Sequence, residues 1–279
     1  MIFNKIVFSE KRQSFKPGFS IKLTAGGGYV AIGDMNKHLD SMNNKYIPGT
    51  SVSDVSGKIE KLNNLSNDWE LELKIDGSPR IGFGIAASFF HRRNQSSIYA
   101  YQPEFGRGYE MIFEPEIKVI MPFGLNLYYS IYSGSRLNVF INSGIGWYLG
   151  KMTENKINNA IYPLGSVRLG SRYWEVENNF SLGFRGGVGF EYSLIKNLAL
   201  VVELQGRYIR IGNLEGTVKY GGLATVEQGT LHFIERGDYY DLNIPQPYRI
   251  FNEIEYIERN AVLDLSGFLL RIGIKIKLF

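Results

Sequence analysis

The 279-residue chain contains no cysteine and only three histidines. The missing cysteines exclude a disulfide framework, a thiolate metal centre and a cysteine nucleophile. Long apolar runs are absent too, and no stretch approaches the ~18–20 residues that a membrane-crossing helix needs. Charge of one sign is also lacking. The 31 Lys and Arg nearly balance the 27 Asp and Glu, and the formal +4 is spread along the chain rather than gathered into a nucleic-acid footprint. Residues 1–17 carry Lys5, Glu10, Lys11 and Arg12 between short apolar stretches. They have no continuous apolar core of a secretory signal, so either a signal has been removed or the chain is cytoplasmic. The 44% apolar content excludes a disordered chain.

What the chain has instead is alternation. A period of two marks a strand with unlike faces, and eight segments show it: 19–32, 69–75, 80–92, 109–132, 137–149, 180–194, 198–211 and 262–279. In the cleanest, Phe180, Leu182, Phe184, Val188, Phe190, Tyr192 and Leu194 oppose Ser181, Gly183, Arg185, Gly187, Gly189, Glu191 and Ser193. The longest sets Phe113, Ile117, Val119, Met121, Phe123, Leu125, Leu127, Tyr129 and Ile131 against Glu110, Glu114, Glu116, Lys118, Asn126, Tyr128 and Ser130.

A soluble sandwich also alternates, with its apolar face inward. Here the apolar faces are long, and the opposite faces mix glycine with single charges of both signs. Glycine weakens a solvent-facing strand but suits the crowded inside of a narrow barrel. Most segments reach the ~9–11 residues of a spanning β-strand; 69–75 is the shortest. The connections alternate in length. Short turns at 76–79, 133–136 and 195–197 join alternate pairs, and long loops at about 33–68, 93–108, 150–179 and 212–261 join the others. In an up-and-down barrel this puts every turn on one rim and every loop on the other. The pattern predicts an all-β fold: an eight-stranded antiparallel up-and-down transmembrane β-barrel over residues 18–279, with long extracellular loops.

The Gly-rich strand, Ile195-Lys196-Asn197 turn and apolar strand of 183–204, together with a C-terminal amphipathic strand ending in Phe279, carry a resemblance. On these features the chain resembles the small bacterial outer-membrane β-barrel proteins, the eight-stranded superfamily with OmpA-, OmpX- and OmpW-like members. The resemblance covers roughly residues 18–279. It implies a place in the bacterial outer membrane with the signal peptide already removed, residues 1–17 forming an N-terminal periplasmic segment. It also implies a monomer surrounded by outer-membrane lipid and lipopolysaccharide, inserted by the barrel-assembly machinery through a signal at Leu278 and Phe279. The last strand departs from the family in one respect. Its lipid face is even-numbered (Ile274, Ile276, Leu278), so Phe279 falls one residue out of phase. The family spans adhesins, small pores and lipid enzymes, so the resemblance fixes the class and not the activity.

The inward positions carry acids and bases: Lys22, Glu70, Glu72, Lys74, Glu114, Glu116, Lys118, Arg185, Glu191, Glu203, Arg207 and Arg271, with Lys275 beside them. An eight-stranded barrel is just wide enough for side chains to fill it, and buried charges persist when paired. The expectation is an ion-pair network that plugs the lumen; a narrow gated polar path is the sharper alternative. The three histidines are expected on solvated rims or loops: His38 in a short loop helix over 34–43, His91 near an outer strand end, His232 in the last loop. Gly26-Gly27-Gly28 lacks the Lys-Ser/Thr of a phosphate loop and reads as strand. Trp147, Tyr148, Tyr29 and Phe89 suit an outer aromatic girdle, and Phe19, Tyr129, Tyr132 and Tyr192 an inner one. Arg92, Arg93, Arg107, Lys151, Arg168 and Arg172 give the outer rim positive charge.

The last loop is long enough to be functional. Its Phe233, Tyr239, Tyr240, Tyr248 and Phe251 are the candidate surface-binding residues, with a hairpin expected from 217–220 and 230–235. The reading is thus a non-catalytic barrel with a charge-filled lumen and a structural or surface-binding role, with neither cofactor nor metal nor nucleic-acid partner. The alternatives are a small channel for hydrophobic or small polar solutes, and a lipid-modifying barrel enzyme using His91.

Overall fold

The computed structural model describes residues 17–46, 53–102, 106–221, 226–236, 239–244 and 257–278. Residues 1–16, with nearly all of the N-terminal segment, lie outside the described residues, as do Tyr248, Phe251 and Phe279. In chain order the elements are β1 (Gly18–Val30), α1 (Asp34–Tyr46), β2 (Ser53–Gly57), β3 (Leu65–Asp76), β4 (Ile81–Arg93), β5 (Ser96–Gln102), β6 (Arg107–Ser133), β7 (Leu137–Tyr162), β8 (Gly165–Ile195) and β9 (Leu198–Ile211). Then follow β10 (Glu215–Tyr220), β11 (Val226–Thr230), β12 (His232–Arg236), β13 (Tyr239–Asn243), β14 (Ile257–Asn260), β15 (Leu263–Asp264) and β16 (Gly267–Lys277).

Eight of these strands close a ring. Hydrogen-bonded neighbours run β1-β3-β4-β6-β7-β8-β9-β16, and β16 returns to β1 antiparallel. Closure removes the unpaired edges that lipid cannot satisfy. Each ring strand matches one of the eight alternating segments of the sequence, the first and last of them shortened to Gly18–Val30 and Gly267–Lys277. Its outer surface carries bare apolar side chains, among them Leu71, Leu73, Phe83, Ile85, Leu125, Leu127, Ile141, Phe184, Leu204, Leu270 and Ile272, each more than two-fifths exposed. Such a continuous apolar coat has no place in water. It is the lipid face of a spanning wall. Among the described residues no helix is long and apolar enough to cross a membrane. The chain crosses with strands.

The connections are sorted as the sequence predicts. Tight turns close β3–β4 and β6–β7, where Gly77 donates to the Ile81 carbonyl (3.0 Å) and Gly134 to that of Leu137 (2.8 Å). On the other rim the loops are structured. β6, β7 and β8 run for 27, 26 and 31 residues, far beyond what the membrane requires. Segments 93–108 and 150–179, read from the sequence as loops, are largely continuations of these strands, with β5 paired to β6. Thr217–Tyr220 belongs to β10, which pairs with β11 and with the outer part of β8. The strand expected over 230–235 is β12, which pairs instead with β13 and β14.

Above the lipid belt the wall reverses polarity. Phe113, Ile117, Val119, Met121, Met152, Trp174 and Val176 are buried inside, joined by Met35, Leu39 and Met42 of α1, in one apolar core. The reversal in β6 passes through a β-bulge. Ala86 pairs with Gly124 but Ser88 with Met121, and Ile120 pairs with Leu149 but Phe123 with Trp147, so β6 carries one extra residue around Pro122. Proline has no amide hydrogen for the ladder and suits such a site. Odd residues therefore point inward before the bulge and outward after it.

Candidate functional site

The lumen is the candidate site, and β3 supplies its backbone. Its inward positions are Asp68, Glu70, Glu72, Lys74 and Asp76, an acidic ladder broken once by a lysine. Across from it stand Lys22 of β1, Arg185 and Glu191 of β8, Glu203 and Arg207 of β9, and Arg271 and Lys275 of β16. Glycine makes the room. A Cβ at Gly84 would lie 1.6 Å from Glu72 Oε1, so the bare backbone of β4 is what lets that carboxylate lie flat against the wall.

The side chains form three tiers. Near the loop side, Arg271 reaches Asp68 (3.0 Å) and Glu70 (2.8 Å), Arg207 pairs with Asp68, and Arg185 pairs with Glu70. In the middle, the Lys22 ammonium lies 2.6 Å from Glu72 and 2.8 Å from Glu203, and donates to the Tyr128 hydroxyl at 2.7 Å. Glu72 also accepts from Tyr128 (2.7 Å) and Asn126 (3.1 Å). Toward the turns, Lys74 and Lys275 share Glu191 at 3.1 and 2.9 Å, with Asp76 at 3.5 and 3.6 Å. Six cations thus face six carboxylates in a volume where an unpaired charge would be prohibitively costly.

Of the residues expected in this network, the structure brings Lys22, Glu70, Glu72, Lys74, Arg185, Glu191, Glu203, Arg207 and Arg271 together. It does not bring Glu114, Glu116 and Lys118 there. These precede the Pro122 bulge and so point outward, above the membrane: Glu116 pairs with Lys118 and with His91, each at 2.8 Å, and Glu114 accepts from Asn155. Asp68 and Asp76 are the members sequence reasoning missed. Each extends the alternation of 69–75 by one step, Asp68 before it and Asp76 after it. Tyr148 also differs from expectation. Trp147 faces lipid, so its neighbour points into the lumen and is buried.

A second cluster lies in the outer cap. His38 of α1 is fully buried, not solvated, because the helix is tucked inside the outer wall. Its Nε2 lies 2.9 Å from Glu154 and its Nδ1 3.3 Å from the Tyr240 carbonyl. Glu154 also accepts from Arg172 (2.9 Å), which lies 3.7 Å from Asp241. Burial alone pushes the Glu154 carboxyl up, but the charges and hydrogen bonds of His38 and Arg172 outweigh it and hold it down at about 2. Ser41, the nearest hydroxyl on the helix, donates to the carbonyls of His38 and Tyr240. That geometry clamps a helix and activates no nucleophile. Asp34 anchors the other end, accepting two bonds from Arg259 at 2.6 Å and one from the Val262 amide at 2.9 Å.

The surface-binding candidates fare differently from expectation. Phe233 is turned inward, stacked on Tyr240 with ring centroids 5.4 Å apart and capped by Arg259. It packs the cap rather than presenting a surface. Tyr220 and Tyr240 pack against the same core as Phe233, and the side chain of Tyr239 lies outside the described residues. Among the described residues no group of His, Asp and Glu could hold a metal.

A closed eight-strand ring, a lipid-facing coat and a paired polar interior decide the class. The chain is a transmembrane β-barrel of the bacterial outer-membrane type. No family model matches it, and no curated protein matches it. Among solved structures it is similar to Neisserial surface protein A (9% identity over 95% of this chain and 100% of that one, TM-score 0.39). It is also similar to a major outer membrane protein from Thermus thermophilus (14%, 95% and 100%, TM-score 0.44) and to the outer membrane protein OprG from Pseudomonas aeruginosa (12%, 94% and 95%, TM-score 0.38). The likeness is one of barrel type and carries nothing about activity.

Proposed function

We propose that this barrel is a sealed, non-catalytic anchor that holds a folded cap above the outer membrane. The observation that carries the reading is the double closure of the interior. Within the membrane the lumen is filled by paired charges, and above it α1 sits inside an apolar core. A solute would have to break both. The role is therefore structural or one of surface contact, in a setting of lipid and lipopolysaccharide, for a monomer inserted through its C-terminal strand. Leu278 lies on the lipid face of that strand and its amide bonds to the Phe19 carbonyl at 2.8 Å. Contact with partners falls to the β7–β8 hairpin, whose Leu164, Val167 and Leu169 are exposed at its tip, rather than to Phe233.

Planar-bilayer recording tests the sealed reading: the purified protein should give no stable conductance, and steady channels would refute it. A small channel is the competing reading, and conductance would support it directly. The enzyme reading has lost its clearest residue. His91 faces outward on β4, and its described hydrogen bond is to Glu116 at 2.8 Å.

A further inference from the structure

Among the described residues, none fills the turn-side mouth of the lumen. A cavity of about 490 Å³ opens there between the β3–β4 and β6–β7 turns and the ends of β8 and β16. Its floor is the lowest tier of the network, where Lys74 and Lys275, both nearly inaccessible, share Glu191 and Asp76. Its rim carries Arg80, Arg136 and Lys277, and none of these three has an ion-pair partner among the described residues.

The charge count sets this mouth apart. Deeper in the lumen four cations, Lys22, Arg185, Arg207 and Arg271, meet four carboxylates, Asp68, Glu70, Glu72 and Glu203. In the mouth, among the described residues, five cations, at positions 74, 80, 136, 275 and 277, meet two carboxylates, at positions 76 and 191. The positive surplus is thus confined to one concave site with low-dielectric walls, the geometry that focuses a field and concentrates anions. Hydroxyls of Ser130, Ser133 and Ser193 add donors around it. An occupant is therefore favoured that brings several anionic oxygens.

We propose that this mouth is a binding site for a small soluble polyanion, a multiply charged carboxylate or phosphate compound that enters from the periplasmic side. Each rim arginine offers a planar fork matched to carboxylate or phosphate oxygens, and the lysines below have spare donors, three per ammonium. The cavity lies inside the strand ring, so the occupant comes from solution and not from the lipid surrounding the wall.

The test is titration of citrate and, separately, inorganic phosphate into the labelled protein in phosphatidylcholine nanodiscs, followed by backbone amide resonances. Saturable shifts centred on Ser78, Gly82, Ser133 and Gly134 are expected. Arg80→Ala/Arg136→Ala, confined to exposed turns, should weaken binding by about tenfold or more, while heat-modifiable gel migration shows that its barrel still forms. Lys275→Met probes the floor, and the exposed double variant keeps the proposal testable if it does not fold. The absence of saturable shifts, or equal affinity in the double variant, overturns the site. Nanodiscs containing phosphatidylglycerol provide the second arm. If mouth resonances shift there with no soluble anion added, the ligand is a lipid headgroup and the proposal of a soluble one fails. Conductance measurements bear on the sealed lumen alone, so the two readings fail separately.

Discussion

Replacing Lys22 by Met is the sharpest probe of the lumen network. Lys22 lies within ion-pair distance of two buried carboxylates, Glu72 at 2.6 Å and Glu203 at 2.8 Å. At an effective dielectric of ~20 each attraction is worth roughly 6 kcal/mol before desolvation. Desolvation cancels much of that while the pair is intact, but removing one partner leaves the other charge buried with the full penalty. Losses of ~3–5 kcal/mol follow when a single buried pair is broken. Here two carboxylates are stranded together, so a loss at the upper end of that range is expected. Met fills the volume of the lysine stem, which separates the charge effect from a cavity effect. The assay is urea unfolding in lipid vesicles, followed by the fluorescence of Trp69 and Trp147 on the lipid face, with Lys277→Met at the exposed mouth as a control expected to stay within ~0.5 kcal/mol. Adding Glu203→Gln should recover part of the loss, since Glu72 keeps its donors Tyr128 and Asn126. A loss below ~1 kcal/mol for Lys22→Met would refute the reasoning. It would mean that water already solvates these groups and that the lumen is a wet path rather than a plug.

Three further outcomes follow from the structure. The Glu154 carboxyl is held at about 2 in the fold against ~4.3 in an unfolded chain. Its contribution, of order 3 kcal/mol, is therefore complete above the unfolded value and is lost as pH falls from there toward the folded one. Amide exchange of α1 should accelerate over that window while β1 and β3 stay protected, and flat protection of α1 would contradict the clamp. Gly187→Ala places a Cβ 2.1 Å from the Leu204 carbonyl oxygen; the backbones of β8 and β9 must separate, and destabilisation by a few kcal/mol is expected from urea midpoints, whereas an unchanged midpoint would show that the two strands are not so close. Deleting Pro122 removes the extra residue of β6 and turns either its outer or its membrane half inside out; loss of the folded band on unheated gels is expected, and normal migration would show that the bulge does not set the phase.

The sequence exposes the barrel because every spanning strand must satisfy two solvents at once, lipid outside and a packed polar lumen inside, and that demand falls on each residue in turn. The lumen charges follow from the same alternation: Glu70, Glu72, Arg185 and Glu191 all sit opposite large apolar neighbours. What lies above the membrane is harder to see, for two physical reasons. The first is that the outer wall faces water, so it needs the opposite pattern, apolar inside and polar outside. In β6 the bulge at Pro122 hides this reversal: the apolar odd positions run on from Phe113 to Ile131, yet Ile117 and Val119 fill the cap while Leu125 and Leu127 face lipid. A one-residue shift leaves the composition of a face intact and changes its destination, which is why Glu116 and Lys118 seem to belong in the lumen. The proline is the local signal, since a residue that cannot join the ladder, set inside a long strand, marks a break in register. The second reason is that α1 owes its burial to partners far away in the chain. Met35, His38, Leu39 and Met42 share one helical face, but nothing near them announces Glu154, Arg172 or Tyr240. A lone histidine in a polar segment therefore reads as solvated until the strands that enclose it are in place. Period-two arguments thus reach as far as the lipid does. Beyond it, side chains are placed by contacts more than a hundred residues apart, and only the closed ring brings those into range.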